Sequence, residues 1–213
     1  GGGSYLGVDK AQEFLAAARK KHPEAWCRFI EDSLEDDDFA NRIGSYGISW
    51  NCALSIFAVQ EIPDIGALME NAAAILGDGA LFLLVTVHPD FGDWLRDTGR
   101  MPPVTELDPA EPNSSAPWRW AGSYPIVDES REPFHLPYFH RTAPDYEAIL
   151  SAHGFLTVTV QELPDPSCDL PRLVRKGISP FANFPANLYW PRIGDAPSSL
   201  AILSRKGAAR EAL

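Results

Sequence analysis

Over the first 87 residues, short apolar runs alternate with helical stripes. Tyr5-Leu6-Gly7-Val8 is a short run, read as a buried-type strand, that stops at Asp9. Ala11, Phe14, Leu15 and Ala18 then recur at i, i+3, i+4 and i+7, the spacing of one helix face. Arg19, Lys20 and Lys21 fall in the last turn, where cations suit the helix dipole, and Pro23 follows as a stop. Trp26 to Ile30 predicts a second strand and Trp50 to Phe57 a third. Between them, residues 31–38 hold six carboxylates, of which Glu35 to Asp38 read as a solvated helix start. Asp64 predicts the cap of a helix whose apolar face is Ile65, Leu68, Met69, Ala72, Ile75 and Leu76, with Gly77 as its C-terminal cap and Gly79 in the next turn. Leu81 to Val87 is continuously apolar, as in a strand covered on both faces. Strand, helix, strand, acidic segment, strand, helix, strand is the order of an α/β fold: a parallel sheet with helices on its faces.

The texture changes after Val87. Residues 88–140 are rich in proline and aromatics and show no clean period. Thr142 then predicts a helix cap, with Tyr146, Ile149 and Leu150 facing inward and Gly154 at the end. Phe155 to Val160 reads as a strand, residues 163–197 are again proline-rich, and Ser199 to Ser204 is a last apolar strand before a short tail. Fifteen of the 19 prolines fall in 101–140 or 163–197, and segments 88–140 and 163–197 hold 12 of the 23 aromatics. Tryptophan and tyrosine are costly to leave solvated, so these segments read as ordered insertions packed over something. The reading is a single domain over 1–213 with two lids, 88–140 and 163–197.

Charge and cysteine narrow the classes. The net charge is −11, which disfavours nucleic acid and anionic membrane as partners. The longest apolar stretch, Ala80 to Val87, is far short of the roughly 20 residues of a membrane span. Cys27, Cys52 and Cys168 show no C-x-x-C spacing and are odd in number, which argues against a disulfide framework. Cys27 and Cys52 lie in apolar runs and read as buried free thiols, with a reducing, cytoplasmic location as the default. His22, His135 and His153 lack metal-ligand spacing, so no metal site is expected.

Four stretches resemble the class I S-adenosylmethionine-dependent methyltransferases of the small-molecule type. Tyr5-Leu6-Gly7-Val8-Asp9-Lys10-Ala11 and the helix after it look like the family's second strand and following helix. Phe29-Ile30-Glu31-Asp32-Ser33-Leu34 looks like the third strand and its acidic turn. Trp50 to Asp64, with Ser55-Ile56-Phe57-Ala58-Val59-Gln60-Glu61-Ile62-Pro63, looks like the fourth strand and its loop. Ala74 to Phe82 looks like the turn into the fifth strand, and Arg141 to Phe155 like the late helix and sixth strand. Each motif alone is common. Their order and spacing together carry the resemblance.

The resemblance implies a Rossmann-like, mostly parallel sheet with helices on both faces and an antiparallel last strand. It implies S-adenosylmethionine as cofactor, with Asp9 on the ribose hydroxyls and Lys10 beside it, Asp32 and the Ser33 backbone on the adenine, and Ser55 and Phe57 near the methionine end. A carboxylate at the end of a parallel strand suits a ribose diol. His88 and His140 are candidate catalytic bases. Trp118, Trp120, Tyr138 and Arg141 are candidate substrate contacts. Asn51 stands where the family usually has aspartate, and Gln60-Glu61 where histidine is common. The family's glycine-rich loop and first strand have no counterpart in these residues, because only eight residues precede Asp9. In the family's order, 3-2-1-4-5-7-6, that strand is central, so the sheet is expected to divide into 3-2 and 4-5-7-6, and about 30 or more upstream residues are expected to complete the domain.

The function these implications support is methyl transfer to a small-molecule acceptor in a lidded pocket. The runner-up is a methyltransferase-like binding or scaffold protein without activity, suggested by Asn51 and the missing loop. A nicotinamide-dependent dehydrogenase comes third, since the chain has neither G-x-G-x-x-G nor a Tyr-x-x-x-Lys pair. The acceptor atom and the oligomeric state are not readable from the sequence.

Overall fold

The described residues form three separate sheets. The computed structural model describes residues 3–97, 99, 101, 118–126, 134–163 and 199–208. β1 (Tyr5–Asp9), α1 (Gln12–Lys21) and β2 (Cys27–Glu31) form a parallel β-α-β unit. After α2 (Phe39–Gly44), β3 (Trp50–Ile56) leads through a 3-10 turn (Val59–Glu61) to α3 (Ile65–Ile75) and β4 (Leu76–Val87). Then come α4 (Pro89–Asp97), β5 (Trp120–Ile126), β6 (Phe134–His140), α5 (Ala143–Ala152), β7 (Phe155–Leu163) and β8 (Ser199–Lys206).

The larger sheet has the order β3-β4-β8-β7. β4 runs parallel to β3, and β8 is antiparallel to both of its neighbours. β1 and β2 form the smaller sheet. Among the described residues these two sheets follow the expected division into 3-2 and 4-5-7-6. β1 pairs only with β2, and β3 only with β4, so each has a free edge among the described residues. Asn71 of α3 spans the two parts: its side-chain amide donates to the carbonyls of Leu34 and Asp36, both at 2.9 Å.

Local chemistry accounts for the helix ends. The Asp64 carboxylate accepts from the Gly66 N–H at 2.9 Å, as an N-cap should. Thr142 and Asp145 form a reciprocal capping box on α5. The chain turns after α5 through Gly154, at φ 80°. Gly77 differs from expectation. α3 ends at Ile75, and Gly77 lies inside β4. Leu76 pairs with Trp50, the ladder resumes at Leu81 with Cys52, and the excursion between turns at Gly79, φ 76°. The strand captures Leu76, which the helical period had assigned to the helix face.

Among the described residues, one face of the larger sheet is covered and the other is open. Phe82, Leu84, Ile202 and Phe155 pack under Leu68, Met69 and Ala72 of α3 and Tyr146, Ile149 and Leu150 of α5. The opposite face shows Leu54 and Ile56, each 57% exposed, beside the half-buried Leu83, Val85 and Leu203 that pair alongside them. Burial therefore corrects two expectations. β4 is not covered on both faces, and Cys52, on the open face, is an exposed thiol rather than a buried one. Cys27 is half-buried, and Cys168 lies outside the described residues. Tyr5 and Phe14 are exposed as well, because the β1–α1 unit has only β2 beside it.

Segment 88–140 is more regular than its composition suggested. α4 and the antiparallel β5–β6 hairpin pack together around Val87, Phe91, Leu95, Met101 and Tyr138. Residues 102–117 and 127–133 of this segment, and 164–198 of the second, lie outside the described residues.

Candidate functional site

Asp9, Lys10, Asp32, Ser33, Ser55, Phe57 and His88 sit at the carboxyl ends of parallel strands, the edge where open α/β sheets receive ligands, whereas Trp118, Trp120, Tyr138, His140 and Arg141 lie on or beside the antiparallel β5–β6 hairpin. At the end of β1, Asp9 Oδ1 accepts from the Ala11 N–H at 2.7 Å and fixes the turn into α1. Asp9 is exposed, and its second oxygen has no protein partner among the described residues. The Asp32 N–H donates to the Asp9 carbonyl at 3.2 Å, so the two strand ends are adjacent. Lys10 is drawn to Glu35, at 2.5 Å.

Asp32 is already engaged. Arg42 of α2 donates to both its oxygens, at 2.6 and 2.9 Å, and the Ser33 N–H donates to one of them at 2.8 Å. The Arg42 hydrogen bonds hold the Asp32 carboxyl below the usual carboxylate range, against the raising effect of partial burial. Asp32, the Ser33 N–H and Lys10 thus satisfy one another and their neighbours, and Asp9 remains the open carboxylate of the group.

At the end of β3, Ser55 is half-buried and Phe57 turns left-handed, at φ 51°. It is the only non-glycine residue with positive φ among the described residues. Left-handed backbone costs a bulky L-residue roughly 1–2 kcal/mol. Phe57 is 42% exposed, so burial offsets that cost only in part. Strain of this kind at a strand end is a marker of a functional position. Phe57 is held by its N–H, which donates to the Val85 carbonyl at 2.8 Å, and by its carbonyl, which accepts from the Gln60 side-chain amide at 2.7 Å. Gln60 is buried and accepts in turn from the Thr86 hydroxyl at 3.1 Å. In the sequence, Gln60 stands out only as a departure from the histidine common at that place. A glutamine flanked by Val59 and Ile62 in a strand-end turn was the signal available.

At the end of β4, His88 is buried. Its Nδ1 accepts from the Asp90 N–H at 3.3 Å, and its Nε2 lies 3.5 Å from the Glu162 carboxylate. His140 is sealed more tightly. Its Nε2 lies 3.2 Å from the Pro89 carbonyl, which can only accept, so Nε2 carries the proton. Nδ1 then has no partner among the described residues. Burial pushes the His140 pKa down, with Asp93, at 3.6 Å, opposing it. Trp120 stacks on His140 at 5.0 Å and donates its indole N–H to Asp93 at 3.0 Å, while the Arg96 guanidinium lies over its ring at 5.1 Å. Tyr138 is buried against Gly92, and Trp118 packs on Phe139. Arg141 is buried too. It donates to the Ile62 carbonyl at 3.1 Å and to the Pro63 carbonyl, tying the end of β6 to the loop beyond Phe57. The structure therefore places His88, His140, Tyr138 and Arg141 inside packed layers, and leaves Asp9 and Phe57 open at the strand ends.

Among the described residues no cluster of three metal-ligating side chains occurs, and no helix is long and apolar enough to cross a membrane.

No family model and no curated protein matches the chain by sequence. Solved structures do match its fold. An S-adenosylmethionine-dependent methyltransferase from Mesorhizobium loti aligns at 18% identity and TM-score 0.56, over 97% of this chain and 82% of that one. Another from Methanosarcina mazei aligns at 12% identity and TM-score 0.57, over 97% of this chain and 83% of that one. The [4+2]-cyclase SpnF aligns at 13% identity and TM-score 0.52, over 97% of this chain and 68% of that one. The chain has the Rossmann-like fold of S-adenosylmethionine-dependent methyltransferases.

Proposed function

We propose that the chain is a methyltransferase domain that binds S-adenosylmethionine at the carboxyl ends of β1 and β3 and methylates a small molecule. The observation that carries this reading is the pairing of an open strand-end carboxylate, Asp9, with a strained and exposed strand-end aromatic, Phe57, in this fold. Fold alone does not fix chemistry, and the match to a cyclase makes that point for this architecture.

The free oxygen of Asp9 suits the ribose diol. The Phe57 ring, with Ser55, suits the cationic methionine end, because an aromatic face attracts a cation. When bound, the cofactor supplies an electrophilic methyl group that a nucleophile takes in line, so the protein's work is to position the acceptor and exclude water. Asp32 and Ser33 fit an adenine role only if Arg42 releases them. His88 and His140, both sealed, serve as supports of the α4–hairpin layer rather than as bases. That layer, with Trp118 and Trp120, is the lid of this reading, and a net charge of −11 favours an acceptor that is not a polyanion.

The same reading includes a further strand and helix. The free parallel edges of β1 and β3 and the open apolar face with Leu54 and Ile56 are what a β-α unit between the two sheets would cover. Such a unit would lie outside the described residues.

Calorimetry with S-adenosylmethionine on the 213-residue chain and on an upstream-extended chain tests the proposal. Saturable heat that Asp9→Asn weakens tenfold or more supports it. A folded, extended protein that gives no heat sinks it and leaves the binding or scaffold reading, which the self-satisfied Asp32–Arg42 pair favours.

A further inference from the structure

We propose that Gln60 is a positioning residue for the ligand at the end of β3, acting through Phe57 without touching the ligand itself. The inference rests on the functional reading above and adds to it the device that holds the site in shape.

The device is a chain of buried polar groups with one orientation. Thr86 is fully buried on β4, and its hydroxyl donates to Gln60 Oε1 at 3.1 Å. The Phe57 carbonyl can only accept, so it is the Gln60 NH2 that faces it, at 2.7 Å, and the Gln60 oxygen that faces the Thr86 hydroxyl. A flipped amide would set two carbonyl oxygens together. The Tyr146 hydroxyl stands 3.5 Å beyond Thr86, so the chain reaches from α5 through β4 to the turn after β3. With the Val85 carbonyl holding the Phe57 N–H at 2.8 Å, both backbone polar groups of Phe57 are pinned.

Two observations direct this device at a ligand. The backbone it holds is one a phenylalanine adopts only under constraint, at φ 51°. Phe57 so placed is 42% exposed, so the constraint does not serve to bury it in the core. Three buried side chains thus hold an aromatic ring out at the edge where a parallel strand ends. A core glutamine whose purpose was packing alone would have no need of a strained neighbour.

The chemistry also specifies which substitutions matter. Gln60→Leu keeps the volume and removes both bonds. Gln60→Glu keeps an acceptor for Thr86 and turns the other oxygen on the Phe57 carbonyl, where ionised carboxylate and carbonyl repel. Neither can hold Phe57 as the amide does. Phe57→Gly removes the strain and the ring together, so it should make Gln60 dispensable.

The experiment is a double-mutant cycle on Phe57→Gly and Gln60→Leu, with Gln60→Glu alongside. It is read by melting temperature and by calorimetric affinity for S-adenosylmethionine, in the longest folded form of the protein. Gln60→Leu is expected to weaken binding tenfold or more in the parent, and by less than threefold in the Phe57→Gly background. The fall in melting temperature that it causes in the parent should shrink in that background too. Losses that simply add in both readouts, or a folded Gln60→Leu protein that binds as tightly as the parent, overturn the proposal. If the parent itself gives no heat, the functional reading falls and takes the ligand half of this inference with it. Non-additive melting temperatures would still establish that Gln60 holds Phe57.

Discussion

Arg42 grips Asp32 with two hydrogen bonds, 2.6 and 2.9 Å long, at the end of the strand where the adenine partner was expected. Of the two carboxylates that the sequence offered to the cofactor, Asp32 is the one the fold has committed to α2. Asp9, one strand over, keeps an oxygen open. The two aspartates should therefore respond differently. Asp9→Asn is expected to weaken S-adenosylmethionine at least tenfold, and Asp32→Asn less than threefold, by calorimetry. The reverse order would show that Arg42 yields Asp32 to the ligand.

The Arg42–Asp32 pair also has a pH signature. The Asp32 carboxyl is held below its ordinary range, so its contribution to stability is present above the unfolded carboxylate pKa and is lost as pH falls through the folded one. Arg42→Ala should lower the melting temperature at neutral pH by a few degrees. The gap to the parent should close on acidification below the carboxylate range. A gap that persists there would mean that Arg42 acts by packing alone.

Asp145 is the more strongly shifted carboxylate of the described residues. Burial raises its pKa, but Arg119, at 2.8 and 3.2 Å, together with the Thr142 N–H and hydroxyl, both at 2.7 Å, outweighs burial and brings it to about 2. This one side chain completes the α5 capping box and joins α5 to the start of the hairpin. Asp145→Ala should cost about 1–2 kcal/mol in denaturant unfolding at neutral pH. The folded pKa is depressed, so that difference should hold above about pH 4 and fade only as pH drops toward 2.

The elements legible in the sequence were those whose signals are local. Asp64, Thr142 and Gly154 mark helix boundaries by side-chain or backbone chemistry within a few residues, and each stands where expected. The strands could be read because β-α alternation needs no partner to be visible. What could not be read depends on residues far apart in the chain. Cys52 sits in an apolar run, yet its exposure depends on what covers the sheet face. His140 and Arg141 looked like polar groups at a pocket mouth. They are buried because Pro89, Ile62 and Pro63, more than 50 residues away in sequence, supply carbonyls that satisfy them. α4 was hidden because Phe91, Trp94 and Leu95 face a hairpin of their own rather than the main core.

Gly92 lets that hairpin dock. A Cβ at this position would come within 2.3 Å of the Tyr138 hydroxyl oxygen and 3.0 Å of its ring, in a layer where Tyr138 is fully buried. Gly92→Ala must push the hairpin off α4, at a cost of about 1–3 kcal/mol. Loss should be local: limited proteolysis ought to cut faster within 88–140 while the larger sheet keeps its protection. An alanine variant with unchanged cleavage would mean that Tyr138 has another rotamer open to it.

Cys52 reports directly on the open sheet face. It lies on the same face as Leu54, in register with Leu81 on β4, and is exposed. In the 213-residue chain with Cys27 and Cys168 changed to serine, a thiol reagent should label Cys52 without prior unfolding. If an upstream β-α unit covers this face, the same cysteine in an upstream-extended chain becomes buried, and labelling should slow by at least a hundredfold and become limited by unfolding. The thiol requires no assumption about cofactor or activity, because it reads burial alone. Equal labelling in the two chains would leave the apolar face open and remove the upstream unit from this part of the fold.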